Sequence, residues 1–208
     1  MNGASFSQMR RFVQWTSKGA ASMNEAHLVF CNSDEWAEAV KKWIIPGALD
    51  GVTLGDNVLE IGPGPGRTTD ILKDMTPKLT ALELDSMLAG KLRDRMAGTN
   101  VTVVEADATA MPFDDDHFSA ALSFTMLHHI PTAELQDRLF AEARRVVRPG
   151  GVFAGVDSLD SDDFRKLHID DICVPVPPET LAQRLKAAGF SDVKVESNPY
   201  VLQFRAIV

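Results

Sequence analysis

A glycine-rich loop is the part of the sequence whose residue types and spacing are best suited to holding a ligand. Gly62, Gly64 and Gly66 follow the apolar run 58–61 and precede a segment that predicts a helix over 67–75. Glycine has no Cβ, so the backbone at these positions can turn tightly and approach a bound molecule closely. A strand, a glycine-rich turn and a helix N-terminus in this order predict a nucleotide-type ligand site.

The prolines in this loop narrow the choice of ligand. A pyrophosphate is held largely by backbone N–H groups, and Pro63 and Pro65 have none. The dinucleotide pattern requires a glycine where Arg67 stands, and no Gly-Lys-Ser/Thr follows as in a Walker loop. These residues speak against a nicotinamide oxidoreductase and favour a ligand that contains a nucleoside but no phosphate.

Two carboxylates follow the next two strand-like runs. Glu83 ends the apolar run 79–84 and lies 17 residues after Gly66, where an acid can accept hydrogen bonds from both hydroxyls of a ribose. Asp85 is the alternative, but Ser86 begins a predicted helix, so Asp85 is favoured as its cap. Asp107 follows the run 101–104. Such an aspartate is most often a loop-capping residue, but its register with the first two motifs favours a ligand contact.

Helix and strand patterns alternate along the rest of the chain. The sequence predicts a strand over 118–124, a helix over 132–147 that ends at Pro149 and Gly150, and a strand over 152–157. A helix over 181–188 and a hairpin over 192–208 follow. This alternation predicts an α/β fold with a mostly parallel sheet covered by helices on both faces.

These motifs, taken in order, resemble the class I S-adenosylmethionine-dependent methyltransferases, closest to the small-molecule branch of ubiquinone and menaquinone biosynthesis. Glu60–Gly66 match the first motif of that family, acid-x-Gly-x-Gly-x-Gly. The resemblance covers roughly residues 30–208. It implies a Rossmann-like, doubly wound, seven-stranded sheet with an antiparallel last strand. It also implies S-adenosylmethionine as cofactor and S-adenosylhomocysteine as product.

The resemblance further implies which residues hold this cofactor. Glu83 is expected to bind the ribose and Asp107 the adenine amino group, with the backbone N–H of Ala108 reaching a ring nitrogen. The full set of expected cofactor-binding residues is Glu60, Gly62, Pro63, Gly64, Gly66, Thr68, Glu83, Leu84, Asp107, Ala108, Ser123 and Phe124.

Candidate catalytic residues lie beyond the later strands. His128 and His129 follow the strand over 118–124, and Asp157 ends the next strand. Reacting groups in an open α/β sheet gather at the carboxyl ends of the strands, and a histidine with a pKa near 6.5 is a suitable base for a hydroxyl or carboxyl acceptor. A Leu-His-His-Ile sequence is frequent in this superfamily whatever the substrate, so one histidine can instead order the loop. His128 is our choice as the base.

Two segments are predicted to close the site. Asn24 and His27 precede a helix that Ser33 caps, and they can face the cofactor as part of an N-terminal cover. The segment 158–178, rich in Asp and Pro, contains His168 and is interpreted either as a substrate lid or as a solvated connection. If it is a lid, its short length favours a small acceptor.

Composition and charge set broad limits on the protein. The 208 residues suit one domain, divided into a helical cover over 1–50, a cofactor-binding core over 51–157, the lid over 158–178 and a closing helix and hairpin over 179–208. A net charge of −8 argues against a nucleic-acid substrate. No apolar run reaches the ~20 residues of a membrane span, and a cytoplasmic location is expected. Cys31 and Cys173 lack metal-ligand spacing, so no metal is expected.

The sequence therefore predicts an enzyme that transfers a methyl group to a small-molecule acceptor by in-line displacement. Oxygen is favoured as the target atom because the Asn/Asp-Pro-Pro-Tyr/Phe motif of many base methyltransferases is absent after the fourth strand, where 123–126 read Ser-Phe-Thr-Met. The alternative is a cofactor-binding module with little catalysis that acts through a protein partner. The sequence leaves the acceptor and the oligomeric state open.

Overall fold

The computed structural model describes residues 23–208, so the part of the predicted cover over 1–22 lies outside the described residues. Seven strands form one sheet in the spatial order β3-β2-β1-β4-β5-β7-β6. Strands β1 to β5 pair in parallel, whereas β7 pairs antiparallel to both β5 and β6. The strands are β1 (Val58–Ile61), β2 (Leu79–Glu83), β3 (Val101–Glu105), β4 (Phe118–Phe124), β5 (Val147–Ser158), β6 (Ser191–Ser197) and β7 (Val201–Ile207).

Helices connect the strands and cover both faces of the sheet. The described α-helices are α1 (Glu25–Cys31), α2 (Asp34–Ala39), α3 (Ile45–Ala48), α4 (Thr69–Leu72), α5 (Ser86–Arg95), α6 (Ala133–Val146), α7 (Asp162–Leu167) and α8 (Pro178–Ala187). A π-helical turn (Val40–Ile44) joins α2 to α3, and a 3₁₀ turn (Leu127–His129) follows β4. No helix in the described part of the chain is long and apolar enough to cross a membrane.

Burial explains why the central strands are apolar at nearly every position. All residues of β1 and β4 are buried, as expected for parallel strands covered on both faces. Helix α6 begins where the Thr132 hydroxyl accepts a hydrogen bond from the Leu135 backbone N–H. The same helix buries an apolar stripe that includes Leu139, Phe140 and Ala143 against one face of the sheet.

The predicted fold class is confirmed, with three differences in the elements. Helix α4 is only four residues long, because the chain turns at Gly66 before it and reaches Pro77 soon after it. Strand β5 begins at Val147, which pairs with Phe118 before the Pro-Gly-Gly turn interrupts the register. The segment 158–178 contains helix α7, whose first turn is capped by Ser161.

Candidate active site

A cleft lies at the carboxyl ends of strands β1 to β4. Its volume is about 1260 Å³, the open space at its mouth included. The expected cofactor-binding residues that line it are Gly62, Pro63, Gly64, Thr68, Glu83, Leu84, Asp107, Ala108 and Phe124.

The glycine-rich loop has the backbone conformation that only glycine adopts readily. Gly62, Gly64 and Gly66 have φ angles of +65°, +54° and +83°. A Cβ on Gly62 would stand 2.1 Å from Cγ of Met126, which packs against the loop from the segment after β4. The loop therefore requires glycine both for its turn and for its close packing against the residues that follow β4.

Glu83 is fixed at the base of the cleft. Its Oε2 accepts a hydrogen bond of 2.9 Å from the Gly64 backbone N–H, and its Oε1 accepts one of 2.9 Å from the Asp85 N–H. Burial, with 7% of Glu83 exposed, raises the pKa of its carboxyl, whereas these two bonds lower it. Asp85 caps α5, as the sequence predicted, by accepting from the backbone N–H groups of Met87 and Leu88.

Glu60 lies behind the loop and does not line the cleft. Its carboxylate accepts hydrogen bonds from the hydroxyls of Thr68 and Thr69, the latter at 2.6 Å. Burial nevertheless raises the pKa of Glu60 to about 7, because desolvation outweighs the two hydroxyl donors. Glu60 thereby ties the end of β1 to the start of α4 beneath the cleft.

Asp107 uses one carboxylate oxygen for a hydrogen bond within its own loop. Its Oδ1 accepts a hydrogen bond of 2.8 Å from the Thr109 backbone N–H, which is the loop-capping role considered from the sequence. Asp107 and Ala108 both line the cleft. The capping role and a ligand contact are therefore compatible.

Four of the five histidines meet at one side of the cleft, and we call His27, His128, His129 and His168 the histidine cluster. His27 and His129 line the cleft, whereas His128 and His168 lie behind them. His128 is 2% exposed, and its Nδ1 lies 2.5 Å from Oδ1 of the fully buried Asp157. The Nε2 atoms of His128 and His168 are 3.2 Å apart.

The N-terminal cover and the segment 158–178 contact each other at this cluster. The side-chain amide of Asn24 donates to the carbonyls of Leu167 and Ile169 at 2.8 and 3.0 Å. Nδ1 of His27 lies 3.0 Å from Oδ2 of Asp171. The two segments that the sequence assigned to closing the site are therefore joined by side-chain hydrogen bonds.

The structure brings together most of the predicted site residues, but not all of them face the cleft. Seven of the predicted site residues do not line the cleft: Glu60, Gly66, Ser123, Asn24, His128, Asp157 and His168. Ser123 is buried, and its hydroxyl has no hydrogen-bond partner among the described residues. The sequence reasoning missed Asp171 and Ile172, because the segment carries several acidic residues and nothing in their spacing singles these positions out.

Comparison with known proteins agrees with this geometry. A family model described as a methyltransferase domain matches residues 58–151, which hold the glycine-rich loop, Glu83 and Asp107. Over these residues the chain is similar to methyltransferase domains, which agrees with the resemblance drawn from the sequence. A solved structure of similar fold, the trans-methyltransferase CalH, is a complex with SAH; the TM-score is 0.61 at 20% sequence identity, and the match covers 74% of this chain and 51% of that one.

Individual relatives of this chain differ in what their names say they act on. It is 31% identical over 168 residues to 2-methyl-6-phytyl-1,4-hydroquinone methyltransferase 2 of Oryza sativa subsp. japonica, a match that covers 79% of this chain and 47% of that protein. It is 37% identical over 107 residues to a probable ribosomal RNA small subunit methyltransferase A of Natronomonas pharaonis, covering 50% of this chain and 38% of that protein. The chain therefore spans less than half the length of these two relatives.

Among solved structures, the fold is similar to that of a SAM-dependent methyltransferase from Aquifex aeolicus. The TM-score is 0.67 at 18% sequence identity, and the match covers 90% of this chain and 100% of that one. This similarity places the order of strands and helices within the methyltransferase fold.

Proposed function

We propose that this methyltransferase transfers the methyl group of S-adenosylmethionine to an oxygen atom of a small-molecule acceptor. The acceptor oxygen would form a bond to the methyl carbon as the carbon–sulfur bond breaks, and the sulfonium would leave as the neutral thioether of S-adenosylhomocysteine. An acceptor hydroxyl would also lose its proton, which would pass to solvent. Such a reaction requires chiefly in-line positioning, because the methyl group is already activated. The observation that carries the proposal is that one cleft is lined by the glycine-rich loop, Glu83, Asp107 and His129.

The cofactor side of the cleft is assigned from the carboxylates and the loop. Glu83 would accept hydrogen bonds from the ribose hydroxyls, and Asp107 would accept from the adenine amino group through the oxygen not used by Thr109. Gly62 and Gly64 allow the backbone to approach the cofactor. Glu60, Ser123 and Gly66 would act from behind the lining by holding the loop and the strand ends in place.

The acceptor side is assigned to the region after β4. His129 borders the cleft together with apolar residues that would favour an acceptor with an apolar part. These apolar residues are Met126, Ile130, Pro131, Leu135 and Ile172. His128 and Asp157 form a buried pair next to His129 and would position it. Asn24, His27 and His168 belong to the two joined segments that we propose as the cover over the acceptor.

The charge of the molecule supports a small acceptor over a nucleic acid. The net charge is −8, and Arg67 is the one Lys or Arg among the described residues that line the cleft. Phosphate backbones are bound by several cationic side chains along a groove. A small acceptor with an apolar part therefore fits the cleft better than the ribosomal RNA in the name of the Natronomonas pharaonis relative.

The first test is calorimetric titration with S-adenosylhomocysteine, using Glu83→Ala and a matched control. Glu105 pairs with Glu83 in register on the neighbouring strand but is exposed outside the cleft, so Glu105→Ala is the control. We expect Glu83→Ala to weaken binding at least about 10-fold, since a hydrogen bond to a charged group contributes roughly 1.5–3 kcal/mol. Equal affinities in the two variants would contradict the ribose assignment.

The second test asks whether bound cofactor is consumed. Formation of S-adenosylhomocysteine would be followed with phenols, hydroquinones and carboxylic acids as acceptors. Methyl transfer to an oxygen of one of these would support the proposal. Tight cofactor binding without turnover across the whole panel would favour the alternative, a binding module that acts through a protein partner.

A further inference from the structure

The histidine cluster has a hydrogen-bonding arrangement that the methyl-transfer proposal does not use. Each of its four rings has one nitrogen engaged with an oxygen acceptor. Nδ1 of His27 contacts Asp171, Nδ1 of His128 contacts Asp157, and Nδ1 of His168 contacts the Phe164 carbonyl at 2.7 Å. The fourth ring, that of His129, bonds to the backbone of Ile172.

These acceptors fix where the protons are. A backbone carbonyl can only accept, so Nδ1 of His168 carries a proton, and in the neutral ring its Nε2 is a lone pair. His128 donates to the carboxylate of Asp157 in the same way, so its Nε2 is also a lone pair when the ring is neutral. Two lone pairs would thus face each other at the 3.2 Å that separates these atoms. A positive charge between or beside them is needed to stabilise the arrangement.

Two buried carboxylates also lack a cationic side chain. Asp157 and Asp171 have side chains 0% and 1% exposed, and within residues 23–208 their ion-pair contacts are with histidines only. Oδ1 of Asp171 is buried without a hydrogen-bond partner among these residues. A cation held in the histidine cluster would neutralise these buried carboxylates.

We propose that His27, His129 and His168 bind a divalent transition-metal ion of the zinc class beside the cofactor cleft. One ring nitrogen of each lies within 4.8 Å of the others. Two ligands on a tetrahedral zinc are roughly 3.3 Å apart, given Zn–N bonds of about 2.0–2.1 Å, so modest ring rotations complete the site. Metal-bound histidines typically have their other ring nitrogen held by a carboxylate or a carbonyl. Three imidazoles with an open fourth position are a ligand set of catalytic zinc sites.

The position of the site gives the ion a role in the proposed reaction. His27 and His129 both line the cleft, so the fourth coordination position opens on the region assigned to the acceptor. An acceptor hydroxyl bound there would have its pKa lowered, release its proton to solvent and attack the methyl carbon as an oxygen anion. This role rests on the proposed function, whereas metal binding itself does not.

The test is titration of the chelator-treated, tag-free protein with Zn²⁺ in a calorimeter, and with Co²⁺ followed by its visible absorption. We expect one ion per chain. His27→Asn and His168→Asn should each weaken binding by more than about 100-fold. Asp171→Asn should weaken it by about 10–100-fold, as is usual for a residue that holds a metal ligand in place. His117→Asn is the matched control, because His117 is exposed and lies outside the histidine cluster.

Two outcomes would overturn the proposed metal site. One is Zn²⁺ binding that is only weak and nonspecific, and the other is an equal Zn²⁺ affinity in the wild type, His168→Asn and His117→Asn. The affinity for S-adenosylhomocysteine separates this failure from failure of the proposed function. Because His168 does not line the cleft, His168→Asn should bind S-adenosylhomocysteine as the wild type does. Loss of S-adenosylhomocysteine binding would show that the substitution had damaged the fold of the cleft. The Zn²⁺ affinity of Asp171→Asn, compared with that of the wild type, would then decide whether the metal site exists. Full methyl transfer by the chelated protein would overturn the role at the acceptor.

Discussion

At the scale of single residues, the buried carboxyl of Glu60 couples the cofactor loop to pH. Its pKa is raised from the ordinary value of 4.5 to about 7, chiefly by desolvation. An acid whose pKa is raised by folding stabilises the fold in its protonated form. The contribution of the protonated Glu60 carboxyl to the free energy of unfolding is therefore fully present below about pH 4.5, and it is lost as the pH rises through about 7.

Glu60→Gln is expected to remove this loss, because glutamine imitates the protonated acid. The variant should match the wild type in free energy of unfolding near pH 4 and exceed it by up to about 3 kcal/mol above pH 7, at about 1.4 kcal/mol per pKa unit. Urea unfolding at a series of pH values measures this difference. Glu105→Gln, at an exposed position, is the control. Parallel pH profiles for wild type and Glu60→Gln would contradict the expectation.

The residues that could be predicted from the sequence are those whose signal is local. The glycine-rich loop, Glu83 and Asp107 each stand within a few residues of the strand that positions them, so pattern and resemblance locate them. The histidine cluster depends on contacts between distant parts of the chain. His27 and Asp171 are 144 positions apart, and His128 and His168 are 40 apart. No spacing rule joins such residues before the fold is known, so the sequence alone could not point to this cluster.

At the scale of elements, α1 and the segment after β5 form one joined cover. Asn24 caps α1 by accepting from the His27 backbone N–H at 2.9 Å, and its amide donates to two carbonyls of the α7 region. One side chain thus serves both segments. We expect them to open together, because loss of a cap and of two hydrogen bonds removes roughly 1 kcal/mol each.

Asn24→Ala should therefore speed amide hydrogen exchange in residues 25–31 and 162–171 together, on the order of 10–100-fold by the same reasoning. Hydrogen exchange followed by mass spectrometry measures this. Asn198→Ala is the control, since Asn198 accepts from Tyr200 and Val201 within the β6–β7 turn. Faster exchange in only one of the two segments would show that they open independently.

The strands and helices that could be predicted from the sequence are those with a clear apolar pattern. The buried runs of β1 and β4 and the apolar stripe of α6 are readable from the sequence, and the hairpin of β6 and β7 is confirmed. Helix α7 was not predicted, because its six residues, Asp-Asp-Phe-Arg-Lys-Leu, carry too few apolar positions to show a period. Its formation depends on the Ser161 cap and on packing against the cluster, where Phe164 contacts the His128 ring.

At the scale of the whole molecule, ligand binding and folding stability are linked. A ligand that binds only the folded chain at 100 times its Kd stabilises it by about 2.7 kcal/mol. For a chain of this size each kcal/mol raises Tm by roughly 2–4 °C, so S-adenosylhomocysteine should raise Tm by about 5–10 °C. Thermal unfolding monitored by circular dichroism measures the shift. NADH at the same concentration should leave Tm unchanged, and a larger shift with NADH would overturn the cofactor assignment.

The place of β7 in the sheet has a consequence for how the chain folds. Although β7 follows β6 in sequence, it lies between β5 and β6 and provides the hydrogen bonds that join β6 to the sheet. Strand β6 therefore has no partner until the last described segment has been inserted. A growing or shortened chain that lacks residues 201–207 would present the open edge of β5 and an unpaired β6, two surfaces open to pairing with other chains. Completion of this sheet, and with it protection from aggregation, thus depends on the insertion of β7 between β5 and β6.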